Sequence, residues 1–295
     1  MDESRAPRSR RLLPSLGDRL RKDPLALVGS SVLLLVTVVA ILAPILAPYP
    51  AGDQDLARRF EVPSALHPLG LDELGRDILS RLMLGARISL FLSFIVVLTS
   101  ALVGLAIGSV AGFVGGWVDD FIMRGVDILM AFPSVLLAIS LVAVLGPGLG
   151  NLVLALCVIG WVGYARLARA QILRAREMEY VLSARAAGAR SERILLLHLL
   201  PNISGPILVQ ATVGMAGVIL SEAGLSFLGL GLPPPHPSWG SMLRSGSQHL
   251  FDAPHLILYP GLAIMLAVLS FNFLGDSIRD WLDPRLSRGA ESETA

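Results

Sequence analysis

The sequence predicts an all-α, polytopic membrane protein with six transmembrane helices, and three observations carry that expectation. Of its 295 residues, 54% are hydrophobic and only 16% charged, well below the roughly 25% of soluble domains. The apolar residues gather into uncharged runs long enough for a membrane helix, which takes about 20 residues. The arginines collect between those runs, on one side of the implied membrane more than the other. Folded in water, such a chain would have too little polar surface to cover itself.

Residues 24–52 carry no charge and predict the first span. The same is true of 88–118, the second. From 128 to 165 there are 38 uncharged residues, too many for one helix. Gly146-Pro147-Gly148-Leu149-Gly150-Asn151 supplies the turn chemistry that divides them. The third span then begins near Phe121, with Asp127 accepted close to its end, and the fourth follows Asn151. A fifth span runs from Asn202 to about Leu225, and a sixth from about Ala253 to Gly275. This gives a tail over 1–23, a first span with an external segment over 24–87, a five-helix core over 88–280 and a second tail over 281–295. In the second span Gly104, Gly108, Gly112 and Gly116 repeat at intervals of four, which puts them on one face where a neighbouring backbone can come close.

Basic residues orient the spans. With the N-terminus inside, the inside segments hold 18 of the 24 lysines and arginines. The outside segments hold only Arg58, Arg59, Arg76, Arg81, Arg87 and Arg244. The positive-inside rule therefore puts both termini in the cytoplasm. Ser9-Arg10-Arg11 suggests an export signal. The apolar run after Asp23 is longer than a signal's 7–15 residues and starts too far downstream, so no cleavage is expected.

Several chemistries are excluded. The single cysteine, Cys157, lies in an apolar run and makes neither a disulfide framework nor a cysteine metal site. Lys22 is the sole lysine, and no Gly-Lys-Ser/Thr phosphate loop can be built around it. ATP, if used, is hydrolysed by another polypeptide. The five histidines show no metal-ligand spacing, and no catalytic triad or metalloprotease helix is present. No catalytic residue, metal, cofactor or nucleic-acid partner is expected.

Outside the membrane, the stretch from Gly70 to Asp77 groups three acids and two glycines, at a spacing that fits no calcium loop. Asp72 or Asp77 is expected to cap a short amphipathic helix over 78–84 at the outer interface. Asp127 is expected to pair with Arg124, three residues away on the same face. Glu222, near the outer end of the fifth span, is the candidate for contact with a passing substrate, since intramembrane carboxylates are functional by default. A hydrogen bond to a neighbouring helix is its other reading. Pro233-Pro234-Pro235, Pro237 and Trp239 suggest a stiff external loop with an interfacial aromatic.

The most informative stretch is 171–202. Seven arginines between Arg166 and Arg193 keep this region out of the bilayer. Ala184, Ala186, Ala187 and Ala189 surround Gly188, which suits the left-handed position after a helix. The apolar run 194–200 is too short to span, and Pro201 is expected to stop or redirect it. The result is a helix–turn–helix with a small-residue crest, lying on the cytoplasmic surface.

This stretch resembles the cytoplasmic coupling loop, the "EAA" motif, of binding-protein-dependent ABC importer permeases. Gly188 matches the motif's glycine, Ala184 its second alanine and Leu200-Pro201 its terminal pair. Leu182 and Ser183 stand where the glutamate and first alanine are usual, and His198 replaces an isoleucine. HPLGLDELGRDILSRLMLGARISL (67–90) and SEAGLSFLGLGLPPPHPSWGSML (221–243) resemble signatures of the dipeptide/oligopeptide/nickel branch, in particular its second permease subunit. The resemblance covers about 20–285. It implies a type I ABC importer permease fold in the inner membrane and Tyr180, Ala184, Ala187, Gly188, Ala189, Leu200 and Pro201 as ATPase-coupling residues. Its implied partners are a homologous permease chain, two ATP-binding subunits and an extracytoplasmic binding protein. Peptides are the implied substrate, with nickel or another solute the alternative. The rival from another class is an ion-coupled secondary carrier, which needs acids near the membrane midplane.

Overall fold

The computed structural model describes residues 24–282. The predicted tail 1–23 and residues 283–295 of the second tail lie outside the described residues. Among the described residues nine helices follow in order: α1 Pro24–Leu46, α2 Ile78–Val114, α3 Gly116–Met130, α4 Ser134–Leu145, α5 Leu149–Ala175, α6 Glu179–Ala186, α7 Ser191–Phe227, α8 Trp239–Ser247 and α9 His255–Leu282. A single turn over Leu56–Arg58 precedes α2. Five of them (α1, α2, α5, α7 and α9) are each long and apolar enough to cross a membrane.

The sixth crossing is not the continuous helix expected over 121–145. The candidate for it is the pair α3 and α4, bent by 84° at their junction, which makes a sixth span if the two cross as one. Pro133 has no N–H to continue the ladder, and its ring drives Phe132 away from helical geometry. Ala131 and Phe132 close a turn on Asp127 and Leu129 instead. The division at Gly146–Asn151 is as expected, with the Asn151 side chain donating to the carbonyls of Leu145 and Gly146 at 2.8 and 3.1 Å.

A second difference concerns α2. No separate helix over 78–84 forms. Asp77 caps one 37-residue helix, its carboxylate accepting from the Ser80 N–H and hydroxyl at 2.8 and 2.7 Å. Arg81 and Arg87 therefore sit in the first turns of the second span. Gly85 and Ala86, between the two expected helices, are no breakers when packed: Gly85 lies directly beneath Trp239.

The α2–α5 contact forms the centre of the bundle, and the glycine spacing explains why. A Cβ placed on Gly104, Gly108 or Gly112 would stand 2.5, 2.1 or 2.9 Å from the carbonyl oxygens of Trp161, Ala165 and Arg169. Only hydrogen fits there. Backbones this close bury Tyr164, Ala165, Ala168 and Ile172 completely or nearly so. Gly116 is no part of this face; it lies beyond the end of α2 with φ +56°. Helix α1 packs on α2 and α9 through Ala26, Gly29, Ala40 and Ala43, while Leu34, Ile41 and Ile45 face outward.

The chain thus alternates between two ends. One, the cap end, gathers 47–77, the α4–α5 turn and 228–254. The other, the arginine end, gathers Gly115, the C-terminus of α5, α6 and the start of α7. There Leu282 of α9 lies against Gly205 of α7.

Candidate functional site

At the arginine end, α5 stops at Ala175 and the Arg176 guanidinium donates to the Gly112 carbonyl at 3.2 Å. That bond ties the exit of α5 to the end of α2. Helix α6 then crosses back over two turns. Its inner face is Val181, fully buried, and Ala184, which pack with Ala189 against Ile172, Ile194, Leu199 and Ile203. Its outer face presents Tyr180, Leu182, Ser183, Arg185, Ala186 and Ala187.

Gly188 closes the hairpin with φ +80°. Its N–H donates to Arg185, and the Ala189 N–H to Ala184, both at 3.0 Å. These two bonds satisfy the last carbonyls of α6 in the glycine-terminated pattern the sequence predicts. A Cβ on Gly188 would meet nothing within 4 Å, so its requirement is conformational rather than steric.

Pro201 does not end or redirect the second helix. Helix α7 runs unbroken from Ser191 to Phe227, passing through a wide turn over Ile194–Leu199 in which the Leu200 N–H reaches back to Leu195. A regular helix would drive the proline ring against the carbonyl four residues earlier; the five-residue turn opens that space. Leu200 is half-buried in the hairpin's core and Pro201 exposed. The Tyr180 hydroxyl accepts from the Asn202 amide at 2.6 Å, fastening α6 to α7.

Helix α3 is held to α5 by charge. Arg169 grips Asp119 through two bonds, one of 2.6 Å. Asp127 pairs with Arg166, not with Arg124 as expected. The helix-surface rule was outweighed because α5 delivers a guanidinium to the same carboxylate from 39 residues away. Neither Arg166 nor Arg169 was singled out by its spacing. The signal available was an acid and an arginine at the same end of neighbouring spans.

At the cap end, Asp72 accepts the backbone N–H groups of Leu74 and Arg76 and pairs with Arg76 at 2.7 Å and Arg81 at 3.3 Å. Arg76 also reaches Glu73 at 2.7 Å, and Asp77 bonds His67 at 2.9 Å. No cluster of metal-ligating side chains occurs among the described residues. On the surface, the guanidinium of Arg58, hydrogen-bonded to Glu61, holds that carboxyl below its usual value.

Trp239 is not an interfacial aromatic. It is 1% exposed, and its indole N–H donates to the Leu82 carbonyl at 3.1 Å. It begins α8, whose N-terminus Ser238 and Ser241 cap reciprocally, and pins that helix to α2. Pro233 to His236 do form an exposed rim. Glu222 is fully buried, accepting hydroxyl hydrogens from Ser89 of α2 at 3.0 Å and Ser226 at 2.7 Å. It joins two spans, α2 and α7.

Comparison with known proteins shows the family. Residues 104–288 match the family described as binding-protein-dependent transport system inner membrane component. The chain belongs to that family. Residues 17–67 match a second family, the N-terminal TM domain of oligopeptide transport permease C. A dipeptide transport system permease protein of Alkalihalophilus pseudofirmus is 42% identical over 91% of this chain and 88% of its own length. A glutathione transport system permease protein of Pectobacterium atrosepticum is 42% identical over 91% and 89%. An oligopeptide transport system permease protein of Bacillus subtilis is 40% identical over 92% and 88%. The fold resembles a crystal structure of the inward-facing MetNI methionine ABC transporter, with a TM-score of 0.58 and 18% identity over 70% of this chain and 98% of that one.

The protein is therefore a multi-pass inner-membrane permease subunit of an ABC importer, not an enzyme. ATP hydrolysis belongs to separate ATPase subunits, and a substrate-binding protein to the same system. The permease's hairpin lies wholly within the first matched region. Its cap end draws on both: 47–67 come from the second family's match and 228–254 from the first.

Proposed function

We propose that this permease carries short peptides inward as one half of a heterodimeric pathway, a homologous permease chain forming the other half. The α6–α7 hairpin receives one of two ATP-binding subunits. The observation that carries this reading is the hairpin's two-sidedness: Val181, Ala184 and Ala189 lock it to the spans, while Tyr180, Leu182, Ala187 and Gly188 face out, with Tyr180 and Leu182 38% and 50% exposed. Leu200 and Pro201 act from behind, through the wide turn that lets α7 continue. The basic residues put the arginine end and both termini in the cytoplasm, leaving the cap end to meet the binding protein. The dipeptide, oligopeptide and glutathione systems of its relatives support a peptide substrate. Within this reading Glu222 serves the pathway as a lock between α2 and α7, and 24–87 and 88–280 divide as an added N-terminal unit and the permease core.

The test is the complex reconstituted with its ATPases, partner permease and binding protein in proteoliposomes. Gly188→Leu forces a branched side chain into a left-handed turn, at a cost of about 1–2 kcal/mol, and thickens the crest. The complex should assemble yet lose most of its substrate-stimulated ATPase activity. Unchanged stimulation would remove the hairpin from coupling. Uptake that follows an imposed proton gradient instead of enclosed ATP would reject the importer mechanism. Orientation is checked in a Cys157→Ala background: a cysteine at His236 should label from outside, and one at Ser191 only after permeabilisation. Both positions are exposed.

A further inference from the structure

The cap end contains a cavity of about 400 Å³ between the Pro233–Pro235 rim, Pro147 of the α4–α5 turn and the face of α8 that carries Ser241, Arg244 and Ser245. Its size falls within the roughly 300–1,000 Å³ of small-molecule sites. Three guanidinium groups line it, from Arg76, Arg81 and Arg244. Two of them are already committed, Arg76 to Asp72 and Glu73, and Arg81 to Asp72. The Arg244 guanidinium makes no ion pair or hydrogen bond among the described residues, its backbone carbonyl alone accepting from Ser247. Three cations thus face two carboxylates, and the cavity is short of one negative charge.

The position of Arg244 is built rather than incidental. Helix α7 ends on Gly229 with φ +87°, the Gly229 and Leu230 N–H groups donating to Ser226 and Leu225. A Cβ on Gly229 would stand 2.0 Å from Arg244 Nη1. The glycine that ends the helix also makes the bed on which the guanidinium lies. Ser245 and Gln248, on the same wall, add neutral hydrogen-bonding groups. A planar fork of donors beside such groups suits a carboxylate, which it can hold with two parallel bonds.

We propose that this cavity binds the terminal carboxylate of the incoming peptide, with Arg244 as its partner. The proposal rests on the peptide reading above and adds to it the group by which the permease holds its substrate. Stiff proline walls leave the opening fixed, and the two carboxylates beside its cations, Asp72 and Glu73, are already engaged by Arg76 and Arg81, so the free cation selects an anion from outside the chain.

The test compares a tripeptide with its C-terminal amide. In the reconstituted complex, with the binding protein saturated, the free acid should enter faster than the amide by on the order of tenfold, the range of a charge-assisted hydrogen bond. Arg244→Gln should slow the free acid to the rate of the amide and leave the amide unchanged. Arg244→Lys should retain part of the preference. Arg244 is exposed and unpaired, so neither change disturbs the fold. An independent readout needs no transport: millimolar free acid should slow phenylglyoxal modification of Arg244 but not of Arg190, and the amide should slow neither.

A preference that survives Arg244→Gln, or no protection of Arg244, would overturn the site while leaving peptide transport standing. Equal slowing of both peptides would assign Arg244 to a protein contact, overturning the site as well. A wild-type complex that takes up no peptide would refute the substrate reading and the site together.

Discussion

The cap end and the arginine end are built from the same charged residue types, and the chain buries and pairs more of them at the cap. At the cap, Asp72, Arg76 and Arg81 are each 5–6% exposed and bonded to one another, and Trp239 is driven into the seam between α8 and α2. At the arginine end, Arg174, Arg185, Arg190 and Arg193 make no ion pair among the described residues, and Leu182, Leu196 and Leu197 are at least half exposed. Charge buried away from water has to find its partner within the fold. Charge left in water beside uncovered apolar side chains marks a surface that another protein completes. The contrast supports the proposed docking of an ATP-binding subunit at the hairpin, and it does so without reference to any motif.

The comparison breaks most easily at Asp72. Asp72→Ala would leave two buried guanidinium groups short of a partner, at a cost of about 3–5 kcal/mol, and little folded protein should be recovered from the membrane. Arg190→Gln at the other end should change stability by no more than about 0.5 kcal/mol. Thermal unfolding in detergent measures both, and similar losses would dissolve the distinction between the ends. Between them, Gly108→Ala should cost about 1–3 kcal/mol by overpacking, because its methyl would stand 2.1 Å from the Ala165 carbonyl. An unchanged melting temperature would mean that α2 and α5 are free to separate.

The smallest effect belongs to Glu61, whose carboxyl Arg58 holds below its usual value of 4.5. Because the folded-state value is lowered, the pair contributes above the unfolded-state value and is lost as pH falls through the folded one. Glu61→Gln should therefore melt slightly below wild type at pH 7, and the two should converge in acid. A gap that stays constant with pH would show that the pair contributes nothing through its charge.

The spans were legible because a low-dielectric solvent tolerates few charges, so long uncharged runs have one reading. Gly188 was legible for a local reason, a left-handed turn between two alanine-rich stretches. The four-residue glycine spacing likewise exposed the α2 face that receives α5. What escaped was tertiary. The bend at Pro133 lay inside an apolar run that hydropathy reads as uniform, although the proline itself was the sign. Pro201 was read as a terminator, yet a widened turn upstream absorbs it, and no composition reports that. Trp239 is buried only because Gly85, far earlier in the chain, leaves room for it. The partners of Asp127 and Asp119 likewise come from another helix, beyond the reach of any local rule.

The continuity of α7 has a mechanical consequence. Its 37 residues make a rod of about 55 Å, with the hairpin at one end and Glu222 near the other. A tilt of about 5° around its middle moves each end by roughly 2.4 Å for a rod of that length. That displacement exceeds the tolerance of a hydrogen bond, such as the 3.0 Å contact between Ser89 and Glu222. Under the proposed coupling, force applied at the hairpin would need no relay of side chains to part α2 from α7 at the cap; the stiffness of one helix would transmit it.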